Sequence, residues 1–143
     1  MTHQVSIFLE NKLGHLERVT AVLREAGINI LSIHINHTAN GWGILNLVVS
    51  DPQLARKKLD EHGMSAALRE IAVVQMADKP GCLDELLKDV MRAGVNFANG
   101  YGRTVANGEK AFFVIDIEDF PDARQKLRDV GLTVVSDAEV YGG

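Results

Sequence analysis

Two short turns carry the residues best suited to chemistry: Asn11-Lys12-Leu13-Gly14-His15-Leu16 and Asp78-Lys79-Pro80-Gly81-Cys82-Leu83. In each, a glycine stands at the entrance to a segment with helical spacing. Glycine lets the backbone approach a ligand closely, and the unsatisfied amides at a helix N-terminus form a site for a carboxylate. That chemistry suits the anionic end of an amino acid. Asn29 and Asn96 follow the same two helical segments, and a side-chain amide can both donate to a carboxylate and accept from an ammonium. Turn chemistry alone offers a second explanation, in which the glycines only make tight turns and the asparagines only satisfy local backbone. Lys12 and Lys79 recur as well, either to attract an anion at long range or simply as solvated turn residues.

Other candidates are weaker. His34 and His37 are three apart on a segment with strand character, so they face opposite ways and are poorly placed to share a metal ion. Cys82 as a nucleophile needs a positioned base, and His15 belongs to a different part of the chain. Gly100-Tyr101-Gly102 falls inside an expected strand, where glycine marks a bulge or the close approach of another group. Trp42 follows a turn and is either an interface anchor or an incidental loop residue.

The elements that position these residues are written twice. From Lys12 to Gly41 and from Lys79 to Gly108, nine of thirty positions are identical at an offset of 67. Roughly two identities are expected by chance, so the chain reads as two copies of one module. Further on the offset becomes 68, where Ala55-Arg56, Lys58-Leu59 and Gly63 meet Ala123-Arg124, Lys126-Leu127 and Gly131.

In the first copy, Val5, Ile7 and Leu9 alternate with Gln4, Ser6 and Phe8 and predict a strand over His3–Glu10. Leu16, Val19, Val22, Leu23 and Ala26 have helical spacing and end at Gly27. Ile28 to Ile35 and Ile44 to Val49 predict two strands joined at Asn40-Gly41. Asp51-Pro52 opens a second helix that closes at Gly63, and Met64 to Leu68 is a short fourth strand. The second copy predicts the same order over Ile71–Met76, Leu83–Ala93, Val95–Thr104, Ala111–Ile117, Ala123–Val130 and Leu132–Val140.

The fold class is therefore α+β: two tandem ferredoxin-like βαββαβ units, over residues 1–69 and 70–143. Each is expected to form a four-stranded antiparallel sheet with two helices on one face. The other face needs cover, by pairing edge to edge or by stacking between copies or chains, as a homodimer provides.

Composition narrows the function. Of 143 residues 46% are hydrophobic and 24% charged, as in a folded globular protein. Lys and Arg are scattered and the net charge is −4, which leaves no electrostatic footprint for nucleic acid. No signal-peptide pattern or apolar span follows Met1, and the single cysteine fits a reducing compartment, so a cytoplasmic location without membrane insertion is expected. Nothing calls for a cofactor or a metal.

On these elements, Glu10-Asn11-Lys12-Leu13-Gly14-His15-Leu16 followed by Gly27-Ile28-Asn29-Ile30 resembles the signature of ACT domains. Asp78-Lys79-Pro80-Gly81-Cys82-Leu83 with Gly94-Val95-Asn96-Phe97 resembles it again, closer to the family's usual Pro-Gly turn. The resemblance implies a regulatory module that binds a small molecule, usually an amino acid, at the interface of paired ACT units. Carried over by position, it points to Asn11, Leu13, Gly14, His15, Leu16 and Asn29 as ligand-binding residues in the first copy. In the second copy it points to Asp78, Pro80, Gly81, Cys82, Leu83 and Asn96. Leu13 stands where the family commonly has proline, and Asp78 stands where the first copy has Asn11. An aspartate repels a carboxylate and attracts an ammonium, so the half-sites are expected to differ in affinity, or one to be empty.

The expected protein is a stand-alone, non-catalytic sensor whose output passes to a separate partner, since no enzyme or DNA-binding segment is attached. The alternative is a small regulatory subunit of an amino-acid biosynthetic enzyme such as acetohydroxyacid synthase, whose regulatory subunits the first copy resembles. A hydrolase of the acylphosphatase kind on this scaffold needs an arginine in the first loop to hold phosphate, and neither loop has one.

Overall fold

The computed structural model describes residues 2–10, 14–37, 41–97, 99–105 and 109–142. Alternation shapes its first strand: β1 (His3–Glu10) sends Val5 and Ile7 into the core while Phe8 stays exposed. Helix α1 (His15–Glu25) buries Val19, Val22 and Leu23, and Gly27 beyond it has φ 72°, the left-handed conformation that terminates helices. Strands β2 (Ile30–His37) and β3 (Trp42–Val49) form the expected hairpin, paired from Ile30↔Val49 to His37↔Gly43, while Asn40 of its turn lies outside the described residues. Helix α2 (Pro52–Glu61) starts with proline at its first turn, and the Asp51 carboxylate accepts from the Leu54 amide at 3.1 Å. Then follow β4 (Ala66–Ala77), α3 (Cys82–Arg92), β5 (Gly100–Thr104), β6 (Lys110–Asp116), α4 (Ala123–Asp129) and α5 (Asp137–Gly142).

The chain forms two compact units: His3–Arg69 with Tyr141–Gly143, here the first unit, and Met1–Thr2 with Glu70–Val140, the second. In the first, Val5 and Ile7 of β1 and Leu45, Leu47 and Val49 of β3 pack with α1 and with Ala55 and Leu59 of α2. In the second, Ala72 and Val74 of β4 and Phe113 and Ile115 of β6 pack with Leu86 and Val90 of α3 and Ala123 and Leu127 of α4. Each sheet therefore carries its two helices on one face. The repeat extends to the backbone hydrogen bonds: the Arg18 amide donates to the Gly14 carbonyl and the Glu85 amide to the Gly81 carbonyl, both at 3.1 Å.

Two expectations need correction, because the described residues hold six strands where the repeat predicts eight. The strands expected at Met64–Leu68 and Ile71–Met76 are one continuous strand, β4, since Leu68-Arg69-Glu70-Ile71 contains no residue that turns the chain. It closes the order β2-β3-β1-β4 in the first unit and opens β4-β6-β5 in the second. The strand expected over Leu132–Val140 is reduced to a single bridge, Val134↔Val74, before the chain turns into α5. Ser136-Asp137-Ala138-Glu139 is a helix-start signature, and the Glu139 amide donates to the Ser136 hydroxyl at 3.3 Å. The second unit therefore has three full strands.

Helix α5 also changes how that unit's sheet is covered. Ile71, Val73, Phe112 and Val114 project from the face away from α3 and α4, yet all are buried. Glu139 pairs with Lys110 at 3.0 Å, and the Val140 carbonyl accepts from the Arg103 guanidinium at 3.3 Å. The Thr2 hydroxyl donates to the Asp137 carboxylate and holds it below the usual carboxylate range. The unit's own C-terminal segment thus packs where a partner was expected.

Of the two glycines of β5, Gly100 marks a close approach, and neither marks a bulge. Its pairing from Gly100↔Ile115 to Thr104↔Ala111 runs without a register shift. A Cβ on Gly100 would stand 2.9 Å from Phe113 Cζ and 3.0 Å from Phe97 Cε2, two rings packed edge to face at 6.0 Å. Gly100→Ala is expected to cost about 1–2 kcal/mol through overpacking. Gly102→Ala is expected to be neutral, since nothing lies within 4 Å of the added carbon. Thermal unfolding of the two variants side by side checks this; equal midpoints would remove the close-approach account.

Candidate functional site

The entrances to α1 and α3 are built alike. Gly14 (φ 92°) and Gly81 (φ 86°) are the N-caps, both left-handed, and neither helix has a side-chain cap. A Cβ on either glycine would meet nothing within 4 Å, so glycine is required there by its φ and the space above the backbone is open. The first-turn amides of a helix have no intrahelical acceptor, and the dipole is positive at that end. At α3 one of them is used, by the Cys82 amide donating to the Lys79 carbonyl at 3.1 Å.

Around these turns His15 and Cys82 are half-buried, while Leu16, Leu83, Asp78 and Pro80 are exposed. Asn11 and Leu13, with Lys12, lie outside the described residues. Asn29 is exposed, and its backbone is tied to Ser50 by two bonds of 2.9 Å while its side-chain amide makes no hydrogen bond among the described residues. Asn96 is exposed in a shallow hollow with Leu87, Val90, Met91 and Phe97. Each asparagine stands at the far end of an 11-residue helix from its glycine. At about 1.5 Å per residue that is roughly 16 Å, so within one unit the turn and the asparagine cannot touch the same small ligand.

The two entrances differ in charge and polarity. The first turn of α3 carries Asp84 and Glu85, whereas that of α1 carries Glu17 alone. With Asp78 also exposed, the second turn is the poorer place for an anion. Helix α3 further exposes Leu83, Leu87 and Met91 as a stripe, where the aligned positions of α1 are Leu16, Thr20 and Arg24.

The first unit holds a cavity of about 270 Å³ that sequence reasoning reached only through His15. Arg18 lines it from α1, Phe8 and Glu10 from β1, Trp42 from β3, and His62 from the turn after α2. Phe8 and Trp42, 56% and 39% exposed, pack on each other at 5.5 Å. The overlooked signal was Phe8 itself, an aromatic in the polar phase of an alternating strand. Trp42 is thus a wall of this cavity rather than an incidental loop residue.

The family model for the ACT domain pair matches residues 1–141. The chain belongs to the ACT domain pair family. Among solved structures, this ACT pair resembles protein BT0572 from Bacteroides thetaiotaomicron, at 29% identity and TM-score 0.85 over 98% of this chain and 95% of that one. It also shares its fold with the ligand-free regulatory subunit of aspartate kinase from Thermus thermophilus, at 19% identity and TM-score 0.66 over 91% and 93%. The Thermus flavus counterpart gives 20% identity and TM-score 0.61 over the same shares. Among curated proteins nothing matches the chain. Among the described residues of this ACT pair, no helix is long and apolar enough to cross a membrane and no three His, Cys, Asp or Glu side chains gather as a metal site.

Proposed function

We propose that this ACT pair is a non-catalytic, cytoplasmic regulatory protein that binds an amino acid at the interface of paired ACT units, drawn from residues 1–69 and 70–143 and from the two chains of a homodimer. The observation that carries this reading is the pair of uncapped helix entrances at Gly14 and Gly81 in a chain of this family. Gly14, His15 and Leu16, with Asn11 and Leu13, supply the first half-site; Asp78, Pro80, Gly81, Cys82 and Leu83 supply the second. The distance between turn and asparagine along each helix favours a site that combines a turn of one ACT unit with Asn29 or Asn96 of another. Binding then shifts the packing of the units by its differential affinity for two arrangements.

The test is thermal unfolding of the purified protein against each of the twenty amino acids at millimolar concentration. A ligand bound only by the folded state raises the midpoint. One or a few amino acids are expected to raise it, with Asn29→Ala or Asn96→Ala abolishing the shift. If none does, the sensor reading fails.

A second reading, as a small regulatory subunit of a separate enzyme, draws support from the coverage of the aspartate kinase regulatory subunits, which the pair matches over nearly their whole length. Acetohydroxyacid synthase is the other candidate enzyme of this kind. Co-purification of a larger catalytic chain with the tagged protein supports this second reading.

A further inference from the structure

The repeat offers an internal comparison that separates ligand chemistry from fold. At the positions aligned with Arg18, Phe8, Glu10 and Trp42, the second copy has Glu85, Gln75, Ala77 and Glu109. None of these eight residues belongs to either hydrophobic core, so the four differences are not demanded by the core. In the first copy they place a guanidinium, a carboxylate and two aromatic rings in contact around one cavity, with His15 beside them. In the second the guanidinium is replaced by a carboxylate and both rings by polar groups.

Phe8 leaves 56% of its surface in solvent and packs on Trp42 in the wall of the cavity. The Arg18 guanidinium makes no ion pair among the described residues, and its planar fork matches a carboxylate. A volume of about 270 Å³ lies near the lower limit of ligand sites and suits a ligand the size of one amino acid.

We infer that this cavity is an aromatic amino-acid site, present once per chain: Arg18 takes the carboxylate, Glu10 faces the ammonium, and the ring lies against Phe8 and Trp42. The inference rests on the amino-acid-binding reading above and names the ligand class, but places the ligand in a cavity walled by the first unit alone rather than at the interface of paired units.

Trp42 is the sole tryptophan, so its emission reports on the cavity directly. The experiment titrates the full chain with phenylalanine, with leucine and glycine as comparators, and follows Trp42 emission, the thermal midpoint and calorimetric stoichiometry. Phenylalanine is expected to change the emission saturably at one site per chain. Losing a charged hydrogen-bond partner should weaken binding about tenfold or more in Arg18→Gln, while Glu85→Gln binds as the parent does. Arg18 is exposed, and a far-UV spectrum checks that the variant is folded; Arg18→Lys, which keeps the charge but loses the fork, is expected to fall between.

A midpoint raised by phenylalanine without change in Trp42 emission, or without sensitivity to Arg18→Gln, overturns this site and leaves the sensor reading standing. A stronger response to leucine overturns the aromatic assignment. Failure of every amino acid to move the midpoint overturns both.

Discussion

Arg124→Ala is expected to destabilise the protein by about 2–3 kcal/mol, whereas Arg56→Ala, at the matching position of the first copy, is expected to change stability by no more than about 0.5 kcal/mol. The two arginines hold the same place in the repeat and do different work. Arg124 Nη1 donates to the Glu70 carboxylate at 2.6 Å, and Nη2 donates to the Thr2 carbonyl at 3.1 Å and to the Ile71 carbonyl. The Arg124 and Glu70 side chains are only 17% and 27% exposed. Truncation therefore leaves a half-buried carboxylate without its guanidinium and removes a donor from two carbonyls, of which that of Thr2 keeps the Ile71 amide at 2.9 Å; an unmet buried group costs more than the net worth of the bond it made. Arg56 meets Asp60 at 4.0 Å along its own helix, with both side chains more than half exposed, where solvent screens the pair. Urea unfolding of both variants, followed by circular dichroism, decides it. Equal losses would show that Arg124 is no more than a surface cation.

That contrast marks the line between what a reader of the residues can recover and what the fold adds. Strand β1 and helix α2 are legible because burial and capping are local: Val5-Ile7-Leu9 has a period of two, and Asp51-Pro52 starts a helix whatever lies beyond. The repeat is legible for the same reason, and its helix-entrance glycines recur with nearly equal φ. The cavity of the first unit is not legible, because Phe8, Arg18, Trp42 and His62 come from three different elements and a turn, and only folding brings them together. The resemblance named the turn that borders this cavity and none of its other walls. Arg56 and Arg124 make the same point: alignment shows that a position repeats, but its neighbours decide what it does.

Helix α5 is the clearest misreading, and it supplies the last expectation. Leu132, Val134, Val135 and Val140 look like a final strand because the second copy needs one, yet the Ser136 to Glu139 cap turns the chain into a helix after one bridge. The two readings differ over Ala138 and Val140. In a strand, residues two apart share a face; in a helix they point roughly 200° apart. The structure has Val140 buried at 1% exposure and Ala138 in solvent. Val140→Asp is therefore expected to cost about 3 kcal/mol or more near neutral pH, and Ala138→Asp less than about 0.5 kcal/mol. Burial raises the folded-state pKa of the introduced carboxyl above its unfolded value of about 3.9. The penalty is then full above that raised pKa and shrinks as pH falls towards 4, so the gap between Val140→Asp and parent narrows on acidification. Denaturant unfolding of both variants at two pH values reads this out. Comparable damage at both positions would restore the strand, and with it a second unit of four strands whose outer sheet face lacks this cover.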